Sequence, residues 1–249
     1  MLQFTSYPQT QRSAWCYAAN VNASNVSGGI RNYGTLGNLV DGDCVVAAYY
    51  HILMAKNVHR QPPLRQFAYR LGFKVPTSTS AIFEYATYLA TLNEKPGPTQ
   101  SVAIDGWLDW QQKQGKVTIW RQILPPNSQF PTTVENEDFE ARVRSAMTLA
   151  GGAIVAGLLS QNAYNHWGRG TCWSYDANKP NDQPDWNLGH ATAMLAYRNA
   201  RDYVVTWGQW QAMTKVFREV LMNSVFVYLH TCDEQLPDYQ QRYAALEAL

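Results

Sequence analysis

The chain has no block of like charge. Its 249 residues carry 20 Lys and Arg against 19 Asp and Glu, a formal charge of +1. Such a balance leaves no electrostatic footprint for nucleic acid or an anionic membrane, so any partner is selected by shape. Long apolar runs are missing as well. The longest, AGGAIVAGLL over 150–159, is too short to span a bilayer, and the opening MLQFTSYPQTQRS lacks the basic-then-apolar order of a signal peptide. The expectation is a protein soluble where it is made, with no nucleic acid as partner and no membrane insertion. Cysteine is scarce and scattered: Cys16, Cys44, Cys172 and Cys232 lie far apart with no CxxC pair. That is neither the density of a disulfide scaffold nor the spacing of a zinc site, so reduced thiols, no metal and no cofactor are expected. Internal repeats and low-complexity tracts are also absent.

Hydrophobic residues make up 46% of the chain and aromatics 13%, enough to bury a substantial core. Residues 1–35 are rich in Ser, Asn, Gln, Gly and Tyr without periodicity, which reads as an irregular arm. From 43 to 57, DCVVAAYYHILMAKN sets Val45, Ala48, Tyr49 and Leu53 near one helical face, with Asp43 available as N-cap. Further helices are expected at 64–71, at 78–93 behind a Thr-Ser cap, and at 101–114, closed by Gly115. The texture then changes. KVTIWRQI reads as a strand, a Pro-rich connection follows at 125–131, and 137–149 is helical. GGAIVAGLL, HATAMLAY, DYVVTWG and VFVYL supply four more strands, with a helix at 213–222. The loop 161–188 is the least legible segment. Helices first and sheet second is an α+β arrangement, with a cleft expected between a helical lobe at about 36–115 and a sheet lobe at about 116–232. Residues 233–249, DEQLPDYQQRYAALEAL, read as a C-terminal tail.

Two residues stand out chemically. Cys44, after a Gly-Asp pair, opens a helix, where backbone N–H groups and the helix dipole favour thiolate and lower a thiol pKa. His190 follows Gly189 and opens a strand, where an imidazole can face a cleft and take a thiol proton. The strand after it ends in Trp207-Gly208. Each feature also has an ordinary structural explanation, as a buried thiol or a hydrogen-bonded core histidine.

Helices first with a cysteine, then a Gly-His strand and a strand ending Trp-Gly: the arrangement resembles the papain-like cysteine peptidase superfamily. It is most similar to papain-like proteins of tailed bacteriophages and prophages. Their motifs are matched by GNLVDGDC at 37–44, LAGGAIVAGL at 149–158, GHATAMLAY at 189–197 and VVTWGQWQAMT at 204–214, in order over about 33–231. The resemblance implies a papain-like domain at 36–232 flanked by the arm and the tail. Cys44 would be nucleophile and His190 base and acid. Asn38, six residues before the cysteine, stands where the family has a glutamine and would donate to the oxyanion beside the Cys44 N–H. One departure is plain: the family's orienting asparagine is replaced, the corresponding positions holding Val205 and Thr206. Valine cannot orient an imidazole. Thr206 offers a hydroxyl, which holds an imidazolium less well than an amide.

Two functions follow from the resemblance. One is a thiol hydrolase, peptidase or amidase, cutting a peptide bond of a virion or host protein or an amide of peptidoglycan. The other is an inactive papain-fold structural component of a phage virion, bound to other virion proteins through its arm and tail. A host-directed inhibitor that binds without cleaving is a third. Trp207 would cover His190 from water. His51 lies seven residues along the Cys44 helix, about 10 Å away, too far to act as the base. His59, His166 and His230 have no partner spacing for a metal, and Cys172, on the long loop, reads as a packing or free thiol. Trp167, Trp173 and Trp186 on the long loop are the best placed of the nine tryptophans for exposed contact with a glycan or a neighbouring subunit.

Overall fold

A computed structural model describes residues 33–36, 38, 42–59, 78–98, 100–123, 133–222 and 224–249. The arm up to residue 32, the helix expected at 64–71 and the Pro-rich connection at 125–131 lie outside the described residues. The protein is α+β, with seven α-helices among the described residues and one antiparallel sheet of six strands.

Three helices come first: α1 (Cys44–His59), α2 (Ser78–Thr91) and α3 (Ile104–Lys113), the last closed by Gly115 at φ +69°. Strand β1 (Val117–Ile123) follows, then α4 (Thr133–Ala150), β2 (Ala153–Ser160) and α5 (Gln161–His166). The remainder runs β3 (Pro184–Arg198), β4 (Arg201–Thr206), β5 (Gln209–Thr214), α6 (Lys215–Leu221), β6 (Ser224–His230) and α7 (Tyr239–Glu247). The sheet order is β1-β6-β2-β3-β4-β5, every pairing antiparallel.

Alternation along the strands builds two cores. On one face Ile154, Ala191, Ala193, Leu195, Val205 and Phe226 pack with α1, α2 and α3. On the other, Val155, Met194, Val204, Val225 and Val227 pack with α4, α6 and α7. The helical first half is thus laid directly on the sheet, α1 running against β3. Helix α1 is not amphipathic as its spacing suggested: every residue from Val45 to Leu53 is buried, His51 included. A helix apolar all round belongs in a core, and here it is enclosed by sheet on one side and by α2 and α3 on others.

Two segments differ from the sequence reading. Residues 233–249, set apart there as a tail, continue a short 3-10 helix into α7, which packs on α4 and β1 with Leu246 fully buried. The loop 161–188 is largely structured. It holds α5, a 3-10 turn at Pro180–Asp182, the first residues of β3, and Trp173, whose N–H and C=O pair with Ala212 and Thr214 across a parallel bridge to β5. Among the described residues no helix is long and apolar enough to cross a membrane.

Candidate functional site

Cys44 is the first residue of α1. The approach to it is fixed by Gly42, whose N–H donates to Gly97 O at 3.0 Å and whose Cβ, were there one, would stand 2.0 Å from the Gln100 carbonyl oxygen. Only glycine fits there. Asp43 is buried, and its carbonyl accepts the first helical bond from Ala47 N–H at 2.9 Å, as an N-cap does. The Cys44 thiol rests against the backbone N–H of Ala191, the residue after His190. Its pKa is raised, to about 11, where the sequence placement suggested a lowered one. Burial is the main cause, and the neighbouring Asp43 carboxylate adds to it. Donation from the N–H groups of Ala191, Val45 and Cys44 pulls the other way and loses.

His190 sits on β3 opposite Gly157 of β2, a residue with no side chain to crowd it. Its ring turns to the face that carries Met194 and Val204. Thr206, the last residue of β4, lies on that same face, because Ala193 pairs with Val205 and the next step brings Thr206 diagonal to His190. His190 Nε2 and Thr206 Oγ1 are 2.6 Å apart. Val205 points to the opposite face, into the core under α1. Burial drives the His190 pKa down to about 3, so the imidazole is neutral at physiological pH.

Trp207 covers the ring, stacked at 4.3 Å between centroids and 17° between planes. The β4–β5 connection explains how. Trp207 (φ 44°) and Gly208 (φ 79°) are both left-handed, the pattern of a two-residue type I′ hairpin turn. A tryptophan accepts that conformation at a cost, and it is held here by Trp167 and Tyr164, edge-on at 5.0 and 6.0 Å. Of the three tryptophans expected at the surface, only Trp186 is well exposed, at 86%. Trp167 backs Trp207, and Trp173 is buried against Phe217.

Asn38 closes a turn in which its N–H donates to Thr35 O at 3.0 Å. That turn is anchored twice. Tyr33 N–H donates to Gly208 O at 3.0 Å, and a Cβ on Gly208 would meet the Gly34 carbonyl carbon at 2.7 Å, so the two backbones touch. His51 Nε2 lies 2.9 Å from Gly34 O. Sequence reasoning dismissed His51 by its distance from Cys44. No local pattern marks its bond to Gly34, which depends on how the segment 33–36 folds back over α1.

The remaining candidates are structural. His230 caps a 3-10 turn by accepting from Cys232 N–H at 3.0 Å, His166 ends α5, and the His59 side chain lies outside the described residues. Cys44, Cys172 and Cys232 form no disulfide among the described residues and are half-buried. Among the described residues no group of three or more His, Cys, Asp or Glu side chains could hold a metal ion.

The protein is α+β, and it seats the Cys44 thiol, at the start of α1, on the backbone N–H of Ala191, the residue next in the chain to a histidine held by a hydroxyl and roofed by tryptophan. No protein-family model matches the chain, and no curated protein matches it.

Proposed function

We propose that the protein is a papain-like thiol hydrolase of tailed-phage origin, acting on a peptide bond or a peptidoglycan amide in a cleft between helices and sheet. The observation that carries this reading is the seating of the Cys44 thiol on the Ala191 N–H, one residue from a histidine whose Nε2 is taken by Thr206. With Nε2–H donating to Thr206, Nδ1 is the basic nitrogen. Cys44 attacks the carbonyl carbon while its proton passes to Nδ1, which requires the ring to reach past the start of β3 to the thiol on its α1 side. The oxyanion is met by the Cys44 N–H, which has no carbonyl partner within α1, and by the Asn38 amide. His190 then returns the proton to the leaving amine as the C–N bond breaks, and water releases the acyl group by the reverse steps.

A second reading, a papain-fold virion component without turnover, is favoured by the burial of both groups. A thiol pushed up to about 11 beside an imidazole pushed down to about 3 makes a resting pair that is neutral. Serine hydrolases also work from a neutral pair, transferring the proton only during attack, so the hydrolase remains the better reading.

Iodoacetamide alkylation, followed cysteine by cysteine by mass spectrometry, separates the two. The hydrolase requires Cys44 to react faster than Cys172 at neutral pH and to lose that advantage in His190→Ala. Equal rates, unchanged by removing His190, would leave the virion scaffold.

A further inference from the structure

We infer that His51 is a positioning residue for the oxyanion site: through its bond to Gly34 it fixes the turn that presents Asn38. The inference rests on the hydrolase reading above.

His51 is 1% exposed, in the middle of an otherwise apolar helix. Its Nδ1 is buried with no hydrogen-bond partner among the described residues, while Nε2 bonds Gly34 O. A phenylalanine would fill the same space without the cost of desolvating an imidazole, so the one bond that the ring makes is what a histidine adds here. Tyr33 leans edge-on against His51 at 5.6 Å and against Trp210 at 5.8 Å, which clamps the same strand of chain from its other side.

The bond is well chosen for leverage. Gly34 (φ 70°) and Leu36 (φ 54°) are both left-handed, so the segment reverses direction within the few residues before Asn38. Releasing Gly34 O frees the first of those two bends. The other anchor, Gly208, belongs to the hairpin turn that lays Trp207 over His190. His51 therefore ties the turn bearing Asn38 to the cysteine helix, and Gly208 ties it to the histidine's roof. The two bonds hold Tyr33 and Gly34, from which the chain enters the turn that Asn38 closes.

An oxyanion donor matters only when a carbonyl is attacked, and this supplies the test. Alkylation of Cys44 by iodoacetamide forms an S–C bond at a saturated carbon and expels iodide, with no oxyanion. Acetylation by p-nitrophenyl acetate passes through a tetrahedral oxyanion before p-nitrophenolate leaves. Both adducts on Cys44 are read by mass spectrometry in the full chain. In His51→Phe, acetylation should fall about tenfold, the scale of one lost hydrogen bond, with alkylation within about twofold of the parent. His51→Gln, which keeps an N–H donor, should recover most of the loss. Asn38→Ala, in a half-buried surface turn, should show the same split at about a hundredfold. Both rates unchanged in His51→Phe, or both reduced alike, would overturn the inference, as would acetylation undiminished in Asn38→Ala even if His51→Phe did not fold. If the parent shows no His190-dependent reaction of Cys44 with either reagent, the hydrolase reading has failed and this inference falls with it.

Discussion

The His190 ring is held between two successive residues of one hairpin, Thr206 at its Nε2 and Trp207 on its face. The group that meets the ring is a hydroxyl, as the sequence reading of Thr206 expects. With Nε2–H as donor, Thr206 Oγ1 accepts, and the tautomer leaves Nδ1 free to receive a proton. The hydroxyl fixes orientation but stabilises an imidazolium less than an amide oxygen does. Thr206→Val keeps the shape and removes the acceptor, stranding a buried N–H. The expected cost is about 1–3 kcal/mol of folding stability, read by urea denaturation, with Cys44 alkylation slowed at least about tenfold. Thr206→Ser should retain both.

The two pKa shifts define a pH window. Moving the proton from Cys44 to His190 changes no net protonation, so the reactive thiolate–imidazolium form keeps a constant share of the pair from above about pH 3 to below about pH 11. The part of the Cys44 alkylation rate carried by that form is therefore flat between pH 5 and pH 9 and shows as a floor at the acid end, above which thiolate formed by loss to solvent adds about tenfold per pH unit. In His190→Ala the thiolate forms only by loss to solvent, and the rate should climb about tenfold per pH unit over the same range. A parent profile that climbs in the same way would mean that His190 takes no part.

Much of this arrangement was legible in the chain because it is written locally. The Gly-Asp-Cys start of α1 and the apolar β2 each follow from short-range pattern, whereas Trp207 and Gly208, read as the end of a strand, form the turn into β5. What was missed depends on contacts between distant segments. Strand β5 was not read because Gln211 interrupts the alternation. It is buried as an apolar residue would be, its amide bonded to Thr171 O and Ala212 O. Helix α7 buries little besides Tyr239 and Leu246, too thin a stripe to announce itself. The Cys44 pKa went astray for the same reason. A helix start signals donors, whereas the depth at which β3 and α1 enclose the thiol is a property of the packed molecule.

Gly42 offers a test of how tightly the cysteine is placed. In Gly42→Ala the new methyl meets the Gln100 carbonyl at 2.0 Å, and neither backbone can yield without moving the start of α1. Destabilisation of about 3 kcal/mol, at the upper end for overpacking, is expected in thermal or urea unfolding. Any folded fraction should have lost the His190-dependent part of Cys44 alkylation. Gly97→Ala, on the same segment but with open space at its Cβ, is the control and should change neither.

The buried histidines also fix how stability responds to acid. His51 is lowered from 6.5 to about 4 and His190 to about 3, both by burial. The unfolded chain takes up these two protons near pH 6.5 while the folded protein refuses them, so acid favours unfolding. Their contribution is complete above pH 6.5 and is lost as pH falls towards 4. Each proton is worth about 1.4 kcal/mol per pH unit, so the pair gives a slope of about 2.7 kcal/mol per unit between pH 6 and pH 4.5. Urea midpoints measured at pH 7, 5.5 and 4.5 read this directly. Comparison of the parent with His51→Gln removes the contribution of carboxylates, common to both, and should show the slope reduced by one proton. An unchanged slope would mean that His51 is already protonated in the fold, and its Nδ1 would then have to find an acceptor that the packing around it does not supply.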